Sequence, residues 1–118
     1  MLEPELAFAG VAGQSELLRR GEVSSRELVE LALTRIDVLD PDLNAFGAVY
    51  ADRAREDADL ADRRRAAGED APLLGVPVAV KDEIDRAGEV QPGYGCVHGP
   101  RRPVRAQAAE RSRAAGAA

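Results

Sequence analysis

Apolar residues recur among polar ones over the first twenty positions in a way that predicts helices. Residues 2–12 are short and apolar enough to form a first helix, and Pro4 suits its opening turn. Residues 14–20 predict a further turn or two of helix, which Gly21 is expected to end. The chain is thus expected to begin with two short helical segments.

A capping box introduces the clearest helix of the sequence. Ser24 and Glu27 stand three positions apart, so each side chain can satisfy a free backbone N–H group at a helix start. The helix is predicted to span residues 25–39, and Pro41 is expected to end it. Its apolar stripe recurs at steps of three and four positions and consists of Leu28, Leu31, Ala32, Ile36 and Leu39.

The pattern changes from helical to strand-like in the middle of the chain. Residues 52–67 predict a second long helix whose apolar side consists of alanines, and residues 68–75 form a loop. Residues 76–80 are mostly β-branched and lie between Gly75 and charged residues, which predicts a short buried strand. Two helices followed by a continuous apolar strand indicate an α/β fold with a sheet covered on its faces.

The last third of the chain carries weaker signals. Glycine and proline dominate residues 88–103, which predicts a loop whose turns could line a site. Residues 104–115 have helical propensity from alanine and arginine, but their inward positions offer almost nothing to bury. We divide the chain at this change of composition into residues 1–100 and a tail of residues 101–118 that is helical or disordered.

Length and composition indicate a small unit with a weak core. The 118 residues make one domain at most, and aromatic residues account for only 3% of them. Much of the apolar fraction is alanine, which buries little area per residue. We therefore expect that the chain folds poorly by itself and that it can self-associate.

Charge and cysteine content argue against several partners and compartments. The net charge is −5, whereas nucleic acids and anionic membranes attract basic surfaces. Positive charge is concentrated in residues 101–118, where five arginines accompany one glutamate. No basic region precedes an apolar stretch at the N-terminus, and no apolar window has the length of a membrane span. Cys96 is the only cysteine, so we expect no internal disulfide and a cytoplasmic protein. From the charge and the missing membrane span, we expect neither a nucleic-acid partner nor a membrane partner.

Lys81 is the only lysine in a chain that has 15 arginines. Arginine stays protonated in proteins, whereas a lysine can lose its proton when burial or neighbouring charges lower its pKa. A lysine at the end of an apolar strand is therefore a candidate general base. The alternative is that a single lysine has no special role in an arginine-rich composition.

Two other groups of residues could carry chemistry. Cys96 and His98 stand two positions apart, and a thiol beside an imidazole can act as a nucleophile and base or as half of a metal site. The sequence has no further cysteine or histidine to complete metal ligation. The acidic residues Asp82, Glu83 and Asp85 could bind a cation, but they are also typical of a solvated turn.

Residues 75–88 read GVPVAVKDEIDRAG, which is a longer and more particular string than any other feature of the chain. This string closely resembles the catalytic-lysine segment of the amidase signature family. The resemblance extends backward to the helix start at residues 24–29, to residues 39–46 with their LNAF ending, and to the charged, alanine-rich helix before residue 76. It covers about residues 15–99, so residues 1–100 resemble the N-terminal part of a domain of this family.

The resemblance implies a fold, an activity and one site residue. The fold would be α/β, with N-terminal helices and the first strand of a mixed sheet whose other strands come from later sequence. The activity would be cleavage of carbon–nitrogen amide bonds by a serine nucleophile, a second serine in a cis peptide and a lysine base. Lys81 is the residue that carries over. The family implies no metal or organic cofactor, and its partner is a small-molecule amide substrate.

The departures from the family concern the two serines. The family places them in a segment rich in glycine and serine well after the lysine, whereas Ser112 is the one serine that follows Lys81 here. We therefore interpret the chain as the N-terminal segment of an incomplete or truncated amidase that is inactive alone. The alternative is a non-catalytic α/β interaction module or a remnant of a truncated amidase. A general amidase and a transamidation component that liberates ammonia from glutamine both remain open.

Overall fold

The computed structural model describes residues 3–81 and shows a chain of helices there. The elements are α1 (Glu3–Ala7), α2 (Gly10–Arg19), α3 (Ser25–Leu43) and α4 (Ala51–Ala66). The helix predicted over residues 2–12 is in fact divided, because α1 ends at Ala7 and α2 begins at Gly10. The second long helix lies within one residue of its predicted bounds at each end. The tail of residues 101–118 lies outside the described residues.

The predicted strand is the main correction. Residues 76–80 belong to no helix or strand, and the described part of the chain contains no sheet. The prediction of an α/β fold with the first strand of a mixed sheet is therefore wrong for residues 3–81. A strand exists only when a second segment supplies ladder hydrogen bonds, and sequence pattern alone reports β-propensity rather than that partner.

Helix α3 begins as predicted but ends later than predicted. The capping box of Ser24 and Glu27 is present at its start. Pro41 lies inside the helix, which continues to Leu43 because the N–H of Asn44 still reaches the carbonyl oxygen of Asp40 at 2.7 Å. Asn44 then adopts a left-handed conformation, which asparagine tolerates better than most residues, and the helix ends there.

Helix α2 ends two residues before Gly21, which was predicted to end it, and α4 ends two residues before Gly68, the first residue of the predicted loop. After α2, the N–H groups of Gly21 and Glu22 donate to carbonyl oxygens in the last turn of the helix. After α4, Gly68 and Glu69 repeat the same pair of hydrogen bonds. Both ends are Schellman motifs, which satisfy carbonyl groups that the helix leaves without partners.

The core lies on two sides of α3. On one side, Leu18 and Leu28 pack with Val76, which follows the loop after α4. On the other side, Val29 and Leu33 pack against Ala58 of α4. Small alanine side chains on α4 allow the two helices to approach closely. The predicted stripe on α3 is thus only partly correct, since Leu28 is buried whereas Leu39 is 43% exposed.

Candidate active site

Lys81 lies at one wall of an open groove. The groove encloses about 570 Å³ and is formed where the segment before Lys81 passes the connection between α3 and α4. The residues that line it are Ala45, Phe46, Gly47, Ala48, Ala79, Val80 and Lys81. The sequence predicted that Lys81 would be desolvated at the end of a buried strand, but the side chain is exposed. The groove therefore combines apolar walls with one amine that solvent and small molecules can reach.

The segment that carries Lys81 leaves the core at a fixed point. Val76 is 2% exposed and packs with Leu18 and Leu28. Immediately before it, the carbonyl oxygen of Gly75 accepts a hydrogen bond of 2.8 Å from the buried hydroxyl of Ser25. Gly75 has a φ of +87°, a conformation that favours glycine. Apolar packing and a buried hydrogen bond thus hold the same two residues.

Three further hydrogen bonds hold the loop before Gly75. The Arg65 guanidinium donates to the carbonyl oxygen of Leu74 at 2.7 Å, and the Ser15 hydroxyl donates to that of Pro72 at 2.7 Å. The N–H of Val76 donates to the carbonyl oxygen of Leu73 at 3.1 Å. These donors come from α2, from α4 and from the segment itself. The loop is therefore attached to two helices before it reaches the groove.

The N-terminus of α3 positions Ser25. The first N–H groups of a helix have no partner within it. Here Ser24 and Glu27 satisfy each other's N–H groups, at 2.7 Å and 3.1 Å. The carboxylate of Asp62, on α4, accepts hydrogen bonds from the N–H groups of Ser25 at 2.7 Å and of Arg26 at 3.1 Å. All four donors from Ser24 to Glu27 are paired, which fixes the start of α3 against α4.

The opposite wall of the groove is fixed by the other end of α3. One carboxylate oxygen of Asp40 accepts hydrogen bonds from the N–H groups of Ala45 at 2.6 Å and of Phe46 at 3.2 Å. These two residues line the groove across from Val80 and Lys81. Asp40, near the end of α3, thus holds one wall, whereas Ser25, at the start of the same helix, holds the segment of the other wall at Gly75, before that segment reaches the groove.

A network of charged side chains joins α3 to α4 on the surface. The guanidinium of Arg55 contacts both carboxylate oxygens of Glu30, at 2.8 Å and 3.1 Å. Arg26 donates to Glu30 at 2.9 Å and to Asp59 at 2.8 Å. The hydrogen bonds from Arg55 and then Arg26 lower the pKa of Glu30 to about 2. The network keeps the two helices that carry Ser25 and Asp62 in one arrangement.

The sequence predicted Lys81 as a site residue, which stays a prediction, and it gave no sign of the residues that hold the segment before it. Cys96, His98 and the acidic residues of 82–85 lie outside the described residues, so their proposed roles stay predictions. Ser25 and Asp62 stand 37 positions apart, and no short motif or periodicity connects them. The Ser24–Glu27 signal marked the correct helix start, yet it gave no indication that Ser25 would reach residue 75.

The described residues show neither a metal cluster nor a membrane span. Residues 3–81 contain no group of three or more histidine, cysteine, aspartate or glutamate side chains placed to hold a metal ion. Within the same residues, no helix has both the length and the apolar character needed to cross a membrane.

Comparison with known proteins gives consistent matches. A family model described as Amidase matches residues 27–118. A Mycobacterium tuberculosis protein named "Putative amidase AmiB2" is 47% identical over 113 residues, which are 96% of this chain and 24% of that protein. A Mycobacterium bovis protein named "Putative amidase AmiA2" is 58% identical over 66 residues, 56% of this chain and 14% of that protein.

A further match has a different name. A Roseiflexus castenholzii protein named as a component of glutamyl-tRNA(Gln) amidotransferase is 50% identical over 78 residues. These residues are 66% of this chain and 16% of that protein. The chain thus spans about a quarter of the length of AmiB2 and less of the other two relatives.

Proposed function

Since the chain belongs to the amidase family, we propose that it supplies the general base of an enzyme that cleaves carbon–nitrogen amide bonds, and that Lys81 is this base. The observation that carries the proposal is the placement of Lys81. The lysine follows a segment held at Gly75 and Val76, and it lines a groove that a small molecule can enter. An amine held in this way can accept a proton at a defined point in space.

The proposed chemistry is acyl transfer through a serine. Nζ of Lys81 accepts a proton that a bridging serine passes on from the nucleophilic serine hydroxyl. The freed oxygen attacks the amide carbon, the carbon–nitrogen bond breaks, and the departing amine takes up the proton that Lys81 had accepted. Water then loses a proton to Lys81 through the bridging serine and attacks the acyl carbon, and the nucleophilic serine regains that proton as the acid product leaves. Lys81 thus acts on the reaction through its basicity and not through its charge.

Three of the chain's four serines already have structural partners. Ser15 donates to the carbonyl oxygen of Pro72, Ser25 donates to that of Gly75, and Ser24 is engaged with Glu27 in the capping box. A serine whose hydroxyl holds the backbone is poorly suited to attack a substrate. We therefore assign neither the nucleophile nor the bridging serine to any of these three residues.

The substrate that fits best is a simple linear amide, as cleaved by a general amidase. The second candidate is the side-chain amide of glutamine. The match to AmiB2 extends over 96% of the chain and favours a general amidase. The match to the amidotransferase component covers 66% of the chain and favours ammonia release from glutamine. Ammonia release measured with simple aliphatic and aromatic amides and with glutamine would separate the two candidates.

Steady-state kinetics of a chimera tests the role of Lys81. Residues 1–118 replace the matching segment of AmiB2, and kcat is measured for the chimera with Lys81, with Lys81→Met and with Lys81→Arg. We expect both substitutions to lower kcat by about 10²- to 10⁴-fold, because the loss of a general base has costs of this size. Arg53→Met, which removes a cation from the exposed face of α4, is the matched control and should leave kcat unchanged.

The kcat values of the chimeras distinguish a catalytic role of this chain from a non-catalytic one. A Lys81→Met chimera with a kcat near that of the unsubstituted chimera would exclude the base role. An inactive unsubstituted chimera, beside an active AmiB2, would favour a non-catalytic interaction module instead.

A further inference from the structure

Ser25 has a buried hydroxyl that the helix itself does not need. Ser25 is 1% exposed, and among the residues that the structure describes it is the only polar residue in the buried class. Ser24, not Ser25, supplies the side-chain cap of α3. A hydroxyl taken out of water costs free energy unless it is hydrogen-bonded, so its partner is informative. That partner is the carbonyl oxygen of Gly75, 50 positions later in the chain.

The hydrogen bond from Ser25 completes the fixation of one peptide unit. The carbonyl oxygen of Gly75 accepts from Ser25 at 2.8 Å, and the N–H of Val76 donates to Leu73 at 3.1 Å. A peptide unit is planar, so its orientation is set when both of its polar groups are held. The side chain of Val76 is in addition buried in the core. The direction in which the chain leaves the core is therefore determined here.

This direction matters because Lys81 is five residues further along. Five residues span up to about 17 Å, so a change of only ~10° in the exit direction would move Lys81 by as much as ~3 Å. A misplacement of ~1 Å at a reacting group can lower a rate by ~10²-fold. We propose that Ser25 is a positioning residue for Lys81, acting through the Gly75–Val76 peptide. The inference rests on the proposed function of Lys81.

Asp62 supports the same arrangement from α4. Its carboxylate accepts the N–H of Ser25, so the residue that holds Gly75 is itself held by a second helix. Ser25 therefore connects three parts of the molecule: α3, α4 and the segment that carries Lys81. The connection places the fixed end of that segment independently of any contact made by Lys81 itself.

The single lysine gives a direct spectroscopic test. Labelling the 118-residue chain with nitrogen-15 lysine yields one backbone amide signal, which belongs to Lys81. At low temperature, Ser25→Ala should shift or broaden this signal. Ser15→Ala, which removes a serine bond to Pro72 in the same loop, should leave it in place. Ser24→Ala removes the capping box without touching Gly75, so it should lower the melting temperature without moving the signal.

The possible results all decide the question. An unchanged Lys81 signal in Ser25→Ala, or an equal shift in Ser15→Ala, would overturn the proposal. A random-coil signal in the unsubstituted chain would also overturn it, because nothing would then hold the segment. If Ser25→Ala does not fold, Ser25→Cys under reducing conditions takes its place, since a thiol is a weaker donor of similar shape.

Kinetics in the AmiB2 chimera separates this proposal from the proposed function. Ser25→Ala should lower kcat by about 10-fold or more and leave KM within about twofold, the pattern of an interaction used in the transition state. If Lys81→Met keeps full kcat, the base role fails, whereas the amide signal still reports whether Ser25 orients the segment. If Lys81→Met is inactive and Ser25→Ala is fully active, only the positioning role fails.

Discussion

At the residue scale, two polar side chains hold the backbone near the groove that Lys81 lines. Ser25 holds Gly75, and Asp40 holds the opposite wall of the groove. Neither side chain has a chemical role in the proposed reaction. Gly75 is equally restricted, because a Cβ atom there would lie 3.1 Å from Cβ of Ser25 and 3.4 Å from Cδ1 of Leu18. The close contact between Ser25 and residue 75 thus requires a glycine there, which has no side chain.

Replacing Gly75 tests this tight contact. Gly75→Ala should destabilise the chain by about 2 to 3 kcal/mol, from a positive φ and a crowded Cβ atom together. Gly68→Ala is the matched control, because Gly68 has a φ of +94° but nothing within 4 Å of its added Cβ. It should cost only about 1 kcal/mol. Urea unfolding measures both, and equal losses would show that the contact with Ser25 is unimportant.

At the scale of elements, α3 and α4 form the frame on which the site is built. Their alanine and leucine contacts bring them together, and the Glu30 network joins their exposed sides. Exposed ion pairs usually contribute little, but the bidentate contact of Arg55 with Glu30 has favourable geometry. The frame therefore has an apolar component and a charged component, and only the charged component depends on pH.

The lowered pKa of Glu30 determines how the contribution of the charged component to stability changes with pH. A carboxylate whose pKa is about 2 in the folded chain and about 4.3 when unfolded stabilises the fold above about pH 4.3. This contribution is lost as the pH falls from about 5 towards about 2. Glu30→Gln should therefore have a lower urea midpoint than the unsubstituted chain at neutral pH, and the difference should shrink on acidification.

A second glutamate provides the control for this prediction. Glu56 is exposed on α4 and has no ion pair among the described residues. Glu56→Gln should show no such pH-dependent difference in midpoint. If the two variants differ from the unsubstituted chain in the same way at every pH, the contact of Glu30 with Arg55 contributes nothing to stability.

The elements that sequence predicted correctly are those with local causes. The capping box of Ser24 and Glu27 acts within four residues, and the pattern of α4 is complete within the helix. The end of α3 was wrong because Pro41 interrupts one hydrogen bond while the bond from Asn44 to Asp40 continues the helix. The strand over residues 76–80 was wrong because a ladder needs a distant partner. The role of Ser25 could not be predicted either, because its partner Gly75 lies 50 positions away in the sequence.

At the scale of the whole molecule, the described residues bury little and expose much. The core consists of Leu18, Leu28, Val29, Leu33, Ala58, Ala61, Leu74 and Val76. By contrast, Phe8, Val38 and Leu43 are each more than two-thirds exposed. A core of this size offsets only part of the conformational entropy of folding, which is about 1 to 2 kcal/mol per ordered residue.

We predict that residues 1–118 alone are helical but weakly stable and that they hydrolyse no amide. Circular dichroism should show helix at low temperature and a broad transition on heating. An ammonia-release assay on the same sample should give no signal, because the proposed chemistry needs two serines, whereas the residues after Lys81 include one and the other three serines have structural partners. A sharp transition at high temperature together with Lys81-dependent ammonia release would show that the chain is an enzyme by itself.

The central claim is that Lys81 acts as a base, and chemical rescue tests it most directly. In the AmiB2 chimera, Lys81→Ala should lower kcat by at least about 100-fold. Small primary amines added to the assay should restore part of kcat, since the groove of about 570 Å³ is open to molecules of their size. The restored rate should follow the basicity of the amine. A kcat that stays low with every amine, or one that never falls, would contradict the account.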